Sequence, residues 1–422
     1  TSNYINFLYR KTNSDEKYKL NIYGKQSPPE SINNNNMLIK ITSGEESFGL
    51  LKDDNKVILL GRVGNTDNET IIDSSLENVK SLFSNKSISN DTTPGGNNIY
   101  VFIKNDNMGI GNYKVGIFPN QTLDSKITDS NANVKNIFHN DDIFIAHNND
   151  NSITLIEGNG FDNLTNYQIS ILNGNSDITH IIPGGLGFVI VKNNSGPVQY
   201  LGKTLSFNNP TNAFKNFDTV SSLLRSSNPV TPSNILTNDE AFVVLRDDSV
   251  LVCWGTEIYG GTEPNLGSET ASKIYKNNIG FAVITRTGKL FSWGKPSLFI
   301  TAENNQDFKE VYSTSGAFAG LRNNGTVEVW GDTESMINIG NMKEFQNPTN
   351  YEYVFLYNDI NNITEIYSNK FSFVGKKVVD GNVTLITWGD SYMGGSPYKQ
   401  TISGDFLSWT PLDLSSNGKE II

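Results

Sequence analysis

One cysteine and three histidines in 422 residues leave little material for nucleophilic, acid–base or metal chemistry. Cys253 alone excludes an internal disulfide framework and any multi-cysteine metal site, and so thiol-poor a chain suits a protein that leaves the cell. His139, His147 and His180 sit near the ends of expected strands at spacings that suit no shared metal, so they read as structural or surface residues. Charge is also scarce, at 18% of residues against about 25% in an average soluble chain. The balance is acidic, net −11, and no basic block occurs, which excludes a general nucleic-acid binder relying on clustered Lys and Arg. No apolar run approaches the roughly 18 residues of a membrane-spanning helix. The opening Thr1-Ser2-Asn3-Tyr4 has neither a charged n-region nor a long apolar h-region, which fits a mature form, an excised domain or export without a cleaved signal. Sustained amphipathic helical spacing is missing as well, and this leaves β structure.

The chain is rich in amides, with 58 Asn, and in aromatics, with 23 Phe and 17 Tyr. It is also a repeat. Lys273-Ile274-Tyr275, Phe281-Ala282-Val283-Ile284 and Gly288 to Trp293-Gly294 return as Lys309-Glu310-Val311-Tyr312, Phe318-Ala319-Gly320-Leu321 and Gly325 to Trp330-Gly331. Thr364 to Tyr367, Phe371 to Val374 and Val383 to Trp388-Gly389 form another copy. One more ends in Phe242 to Leu245 and Val250 to Trp254-Gly255, and opens at Val220-Ser221-Ser222-Leu223. Each copy reads as three short strands joined by turns rich in Asn, Asp and Gly, which tolerate the positive φ of tight hairpins. Weaker copies fill the first half, so the repeats end near Gly24, Gly61, Gly111, Gly158, Gly202, Gly255, Gly294, Gly331 and Gly389.

The ends of the chain complete the count. Lys419-Glu420-Ile421-Ile422 matches the opening of a repeat, while Phe7 to Arg10 and Tyr18 to Gly24 supply the missing second and third strands. A repeat split between the termini predicts a ring closed by terminal strands, which removes exposed sheet edges. The expectation is therefore one all-β domain over residues 1–422, with nine repeats of about 47 residues.

The Trp-Gly ending, the Phe-Ala-Val-Leu strand and the Gly-x-Val turn together resemble the regulator-of-chromosome-condensation repeat family. The resemblance covers nearly the whole chain, most strongly residues 240–390. It implies a single closed β-propeller with four-stranded blades; seven or eight blades with degenerate repeats is the alternative to nine. Gly280 and Gly316 fit the family's Gly-x-x-His, but no His follows either. The family's glycine-rich segment after Trp-Gly survives only as Tyr259-Gly260-Gly261 and Tyr392-Met393-Gly394-Gly395. Partners implied by the resemblance are a small GTPase with histones, membrane-associated signalling proteins or a secreted β-lactamase.

Apparent catalytic motifs dissolve on inspection. Gly196 to Thr204 has five residues between its glycines where a phosphate loop has four, and Gly202 already ends a repeat strand. Gly389-Asp390-Ser391-Tyr392-Met393-Gly394 is one residue too long for a nucleophile elbow and has no histidine partner nearby in the chain. Asn148-Asn149-Asp150-Asn151 lacks the central Gly and closing Glu of a calcium loop and reads as a hairpin turn. Trp254, Trp293, Trp330 and Trp388 share one repeat position and read as core. No enzyme activity, metal or cofactor is expected.

Binding is expected instead, through long polar loops on a rigid scaffold. Two insertions, Asn85–Asn97 and Arg225–Asn238, fall between the first and second strands of their repeats and are expected on one face. They contribute Asn90, Asp91, Asn97, Arg225, Asn228 and Asn234 as candidate contacts. Tyr259 and Tyr392 follow Trp-Gly endings, and Phe406 and Trp409 sit in a further insertion. The Asn-rich, Arg-poor composition reads as bacterial and AT-rich. The expectation is a non-enzymatic, secreted, host- or competitor-directed module binding a protein or glycan; the alternative is an injected regulator of a small GTPase in a host cytosol.

Overall fold

The structure is a computed structural model that describes residues 6–11, 18–23, 38–43, 47–61, 70–71, 77–84, 100–105, 113–118, 134–140, 143–158, 177–194, 196–202, 214–225, 227–298, 305–331, 361–379, 382–389, 398–403 and 406–411. The chain divides into two compact units: Thr1–Ile190 with Tyr200–Lys203, and Val191–Gln199 with Thr204–Ile422. Among the described residues there is no α-helix, only short 3-10 turns and antiparallel strands.

The first unit runs as successive meanders. Asn6–Lys11 pairs with Tyr18–Tyr23, and a four-stranded sheet follows from Leu38–Ser43, Ser47–Lys52, Val57–Gly61 and Thr70–Ile71. Then come three three-stranded sheets: Val79–Ser84, Tyr100–Asn105 and Tyr113–Phe118; Val134–His139, Ile143–Asn148 and Ile153–Gly158; Ile178–Gly184, Gly187–Lys192 and Val198–Gly202. The boundary between the units crosses the hairpin of the last of these.

The second unit opens with a four-stranded sheet in which Leu251–Thr256 lies between Phe214–Lys215 and Ala241–Leu245, with Ile235–Thr237 at the far edge. Three three-stranded sheets follow: Ala271–Asn277, Gly280–Thr285 and Leu290–Gly294; Phe308–Ser313, Ala317–Arg322 and Val327–Gly331; Ile363–Ser368, Ser372–Val379 and Asn382–Gly389. A hairpin of Tyr398–Ser403 and Phe406–Pro411 ends the described chain. Six of the ten sheets thus hold three strands among the described residues, where four-stranded blades were expected.

The middle strand of a repeat is apolar on both faces, and Gly280–Thr285 and Ala241–Leu245 are buried throughout. The reason is that adjacent sheets sandwich it. Cross-strand pairs Phe242–Trp254, Phe281–Trp293, Phe318–Trp330 and Phe373–Trp388 put two rings side by side in each repeat, with centroids 5.0, 5.6, 5.5 and 5.5 Å apart. The Phe281–Trp293 pair packs on Ala241, Val243 and Leu245 of the preceding repeat; Phe318–Trp330 packs on Ala282, Ile284 and Leu290; Phe373–Trp388 packs on Ala317, Ala319 and Leu321. Large rings therefore meet small or branched residues at each junction, which is how interiors reach crystal-like density. The glycine after the tryptophan is required: at Gly294, φ is +122° and a Cβ would come within 2.5 Å of the Ile279 carbonyl oxygen.

Polar residues space the repeats. Asn55, Asn151, Asn194, Ser249, Gly288 and Gly325 take positive φ in the turn before the third strand. The carbonyls of Asn55, Gly288 and Gly325 each accept from the first N–H of the next repeat, at Val79, Phe308 and Ile363, over 2.8, 2.9 and 3.0 Å. In the turn before the middle strand, side-chain oxygens of Asn140, Asn238, Thr314 and Asn369 accept from the N–H three residues on, at Ile143, Ala241, Ala317 and Ser372. Six of the 58 asparagines thus have a defined turn or capping role.

Several expectations need correction. Val220–Leu223 is not a first strand: Phe217–Thr219 and Ser221–Leu224 are 3-10 turns, and the first strand of that repeat is Ile235–Thr237. The hydroxyls of Thr219 and Ser221 donate back to the carbonyls of Asn216 and Asp218, an alternative to strand pairing open to short hydroxyl side chains. The third strand of the repeat expected to end at Gly111 is Tyr113–Phe118, which pairs with Tyr100–Asn105. Phe406 and Trp409 belong to a paired strand rather than a loop insertion, with Trp409 opposite Gln400. Ile421 and Ile422 lie outside the described residues, so the expected terminal pairing does too.

Candidate functional site

Of the two insertions expected on one face, only Arg225–Asn238 falls largely within the described residues. Asn90, Asp91 and Asn97 lie outside the described residues, though the chain between Val79–Ser84 and Tyr100–Asn105 must join the first strand's end to the second strand's start. Arg225, Asn228 and Asn234 instead precede their first strand, so they approach it from the opposite end. That stretch is also stitched down. Asn228 donates from Nδ2 to the Leu223 carbonyl (3.1 Å), and Asp247 Oδ1 accepts from both the N–H and the hydroxyl of Thr231 (3.0 Å each). Val230 and Ile235 are buried, and Asn234 closes the 3-10 turn Pro232–Asn234. Arg225 itself is exposed.

Tyr259 ends the 3-10 turn Glu257–Tyr259 and serves a junction between repeats. Its carbonyl accepts from Asn238 Nδ2 at 2.7 Å, and its ring packs on the cores of two adjacent repeat pairs. Lys295 Nζ stands 5.4 Å from its ring centroid. Burial first, then the Glu240 and Asp239 charges, hold its hydroxyl above the usual tyrosine range. Tyr392 lies outside the described residues, and for Phe406 and Trp409 only the strand is placed.

What the structure does assemble is a row on the first strands of three successive repeats. A bulge recurs at the second residue of these strands, between Ala271 and Lys273, Phe308 and Glu310, and Ile363 and Glu365. Past it come Lys273 and Tyr275, Glu310 and Tyr312, and Glu365 and Tyr367, at equal repeat positions. Glu310 accepts from the Tyr275 hydroxyl through Oε1 and from Lys273 Nζ through Oε2, both at 2.8 Å. Glu365 accepts from the Tyr367 hydroxyl (2.6 Å) and Lys376 Nζ (2.8 Å). The row thus alternates aromatic ring and paired carboxylate from one repeat to the next.

The titration behaviour follows from these bonds. Hydrogen bonds from Lys376 and then Tyr367 hold the Glu365 carboxyl below the ordinary carboxylate range, and Glu365 in turn holds Lys376 above its own. The Tyr367 hydroxyl is raised by its bond to Glu365. Tyr275 and Tyr312 are raised by burial first, with Glu310 contributing to both and Glu365 to Tyr312. All three tyrosines therefore remain neutral hydrogen-bond donors at neutral pH. Both ion pairs are partly exposed, so they orient side chains more than they stabilise the fold.

In the sequence these tyrosines merge with the apolar pattern of the first strands. A signal was present: Lys-x-Tyr, Glu-x-Tyr and Glu-x-Tyr at one position of three consecutive repeats, where a strand facing only core would not keep a charge.

No family model matches the chain, and no curated protein does. Among solved structures it is similar to the CRINKLY WD40 ectodomain of the Arabidopsis thaliana receptor kinase ACR4, at 12% identity over 69% of this chain and 91% of that one, TM-score 0.32. It is similar also to Prp20p from Saccharomyces cerevisiae, at 15% identity over 70% and 72%, TM-score 0.32, and to the ectodomain of the Physcomitrella patens receptor kinase CR4, at 13% identity over 77% and 76%, TM-score 0.30. Likenesses at this level fix neither a family nor a partner.

Proposed function

We propose that this protein is a non-enzymatic recognition module that binds a protein or glycan partner, and that the row Tyr275, Glu310, Tyr312, Glu365 and Tyr367 is its contact surface. The observation that carries the reading is the repeat of tyrosine and paired carboxylate on three adjacent first strands. Tyrosines supply broad, rigid, amphipathic contact area with little side-chain entropy to lose, and the sheets hold them in place. Among the described residues, the buried Cys253 and His147 are engaged in packing: Cys253 is wholly buried in a junction core and His147 bonds Asn151. The repeats as blades of a propeller, and a secreted bacterial setting aimed at a host or competitor surface, belong to the same proposal.

The test is binding of fluorescently labelled full-length chain to intact eukaryotic and bacterial cells, wild type against Tyr367→Ala with Glu310→Gln. Loss of surface binding at unchanged melting temperature supports the row. Equal binding by the double variant contradicts it.

A further inference from the structure

We infer that the row seats a neutral oligosaccharide chain laid across the first strands of the three repeats. The inference rests on the recognition reading above and adds the chemistry of the ligand. Charge is the first reason. Each carboxylate already has its cation, Glu310 with Lys273 and Glu365 with Lys376. A charged partner must compete with these pairs and give up its own hydration, whereas an uncharged polyol leaves them whole and brings no ion of its own to desolvate.

The flanks are the second reason. Ser272 and Thr364 sit at the bulges beside Lys273 and Glu365 and are exposed, so hydroxyls flank the charged end of the row. A protein hot spot calls for a fully desolvated centre, whereas the ion pairs in this row stay partly exposed. The rings are the third reason. Tyr367 is 55% exposed, while Tyr275 and Tyr312 are half-buried against the junction cores. A flat ring fixed at its base presents a face on which the C–H face of a sugar gains dispersion contact. Meanwhile each carboxylate has about four lone-pair sites, and the two hydrogen bonds described leave acceptors for sugar hydroxyls. The span over three repeats favours a chain over a single sugar, because each repeat contributes one ring.

The test is calorimetric titration of the full chain with neutral hexasaccharides of 1,4-linked glucose and of 1,4-linked N-acetylglucosamine. The corresponding disaccharides and an anionic hexamer of galacturonic acid serve as controls. A neutral hexamer is expected to bind, its disaccharide about tenfold or more weakly, and the anionic hexamer not at all. Tyr367→Ala should weaken the hexamer about tenfold at unchanged melting temperature, and Tyr367→Phe should retain it because the ring is kept. Absence of binding by every neutral hexamer, binding of the anionic hexamer alone, or wild-type affinity in Tyr367→Ala overturns the inference. If no hexamer binds, yet Tyr367→Ala abolishes cell-surface binding that protease treatment also removes, the partner is a protein and the recognition reading stands. If Tyr367→Ala binds cell surfaces as wild type does, both readings fall.

Discussion

Trp293 donates from its indole Nε1 to the carbonyl oxygen of Gly260 over 3.1 Å, tying the last strand of one repeat to the turn that leaves the repeat before it. Gly260 has φ +101°, and a Cβ there would come within 2.6 Å of the Phe281 ring. The Tyr-Gly-Gly stretch is thus a clasp between repeats. Gly260→Ala should cost about 1–3 kcal/mol through backbone strain, measured by denaturant unfolding. Trp293→Phe should cost about 1–3 kcal/mol by orphaning that buried carbonyl. The double variant should cost less than the sum, because both changes break one contact. Strict additivity would show the clasp to be incidental.

The repeat tryptophans carry the junctions. Trp330 packs with Phe308 and Val311 at the junction with the preceding repeat, and its ring lies tilted against Phe318. Trp330→Ala should lower stability by about 3–5 kcal/mol. Wild-type stability in that variant would mean the rings do not form the core.

The stretch after Arg225 should behave as structure, not as a dispensable loop. Asp247→Ala removes two hydrogen bonds to Thr231 and should lower the denaturant midpoint by the equivalent of about 1 kcal/mol. An unchanged midpoint would mark the stretch as free to be shortened.

Cys253 is wholly buried, and burial pushes its thiol well above the ordinary range. A thiol reagent at pH 8 should therefore label it only on unfolding, with a rate that rises with denaturant. Rapid labelling of the native chain would contradict the packed junction at that residue.

His147 is buried, and burial first, then the Lys135 charge, hold its imidazole below the ordinary value. In the unfolded chain it titrates near about 6.5, so the unfolded state takes up the proton first as pH falls. Its contribution is complete above about pH 6.5 and declines from there down to the lower folded value. Unfolding midpoints at pH 7.5 and 5.5 should differ in the wild type, and less so in His147→Gln. An equal pH dependence in the two would sink this assignment.

Much of the architecture was legible because three strands, two polar turns and a Trp-Gly ending obey fixed spacing, and the glycine has a steric reason at Gly294. What escaped was local. Val220-Ser221-Ser222-Leu223 carries strand-like apolar ends, but Ser221 and Thr219 bond nearby backbone carbonyls where the chain curls into 3-10 turns. Gly109 and Gly111 imitated a strand ending because glycine is frequent here, while the paired strand begins at Tyr113. The row of tyrosines was hidden for another reason: its meaning lies in bonds such as Tyr275 to Glu310, made between repeats that sequence alignment treats as separate.

Hydrogen exchange of the full chain with and without its bound partner tests the central claim most directly. The account predicts joint slowing at Ala271–Asn277, Phe308–Ser313 and Ile363–Ser368 on binding, with the turn Arg246–Ser249 unchanged. Slowing confined to the Arg225–Asn234 stretch, or none on the three strands, would contradict it.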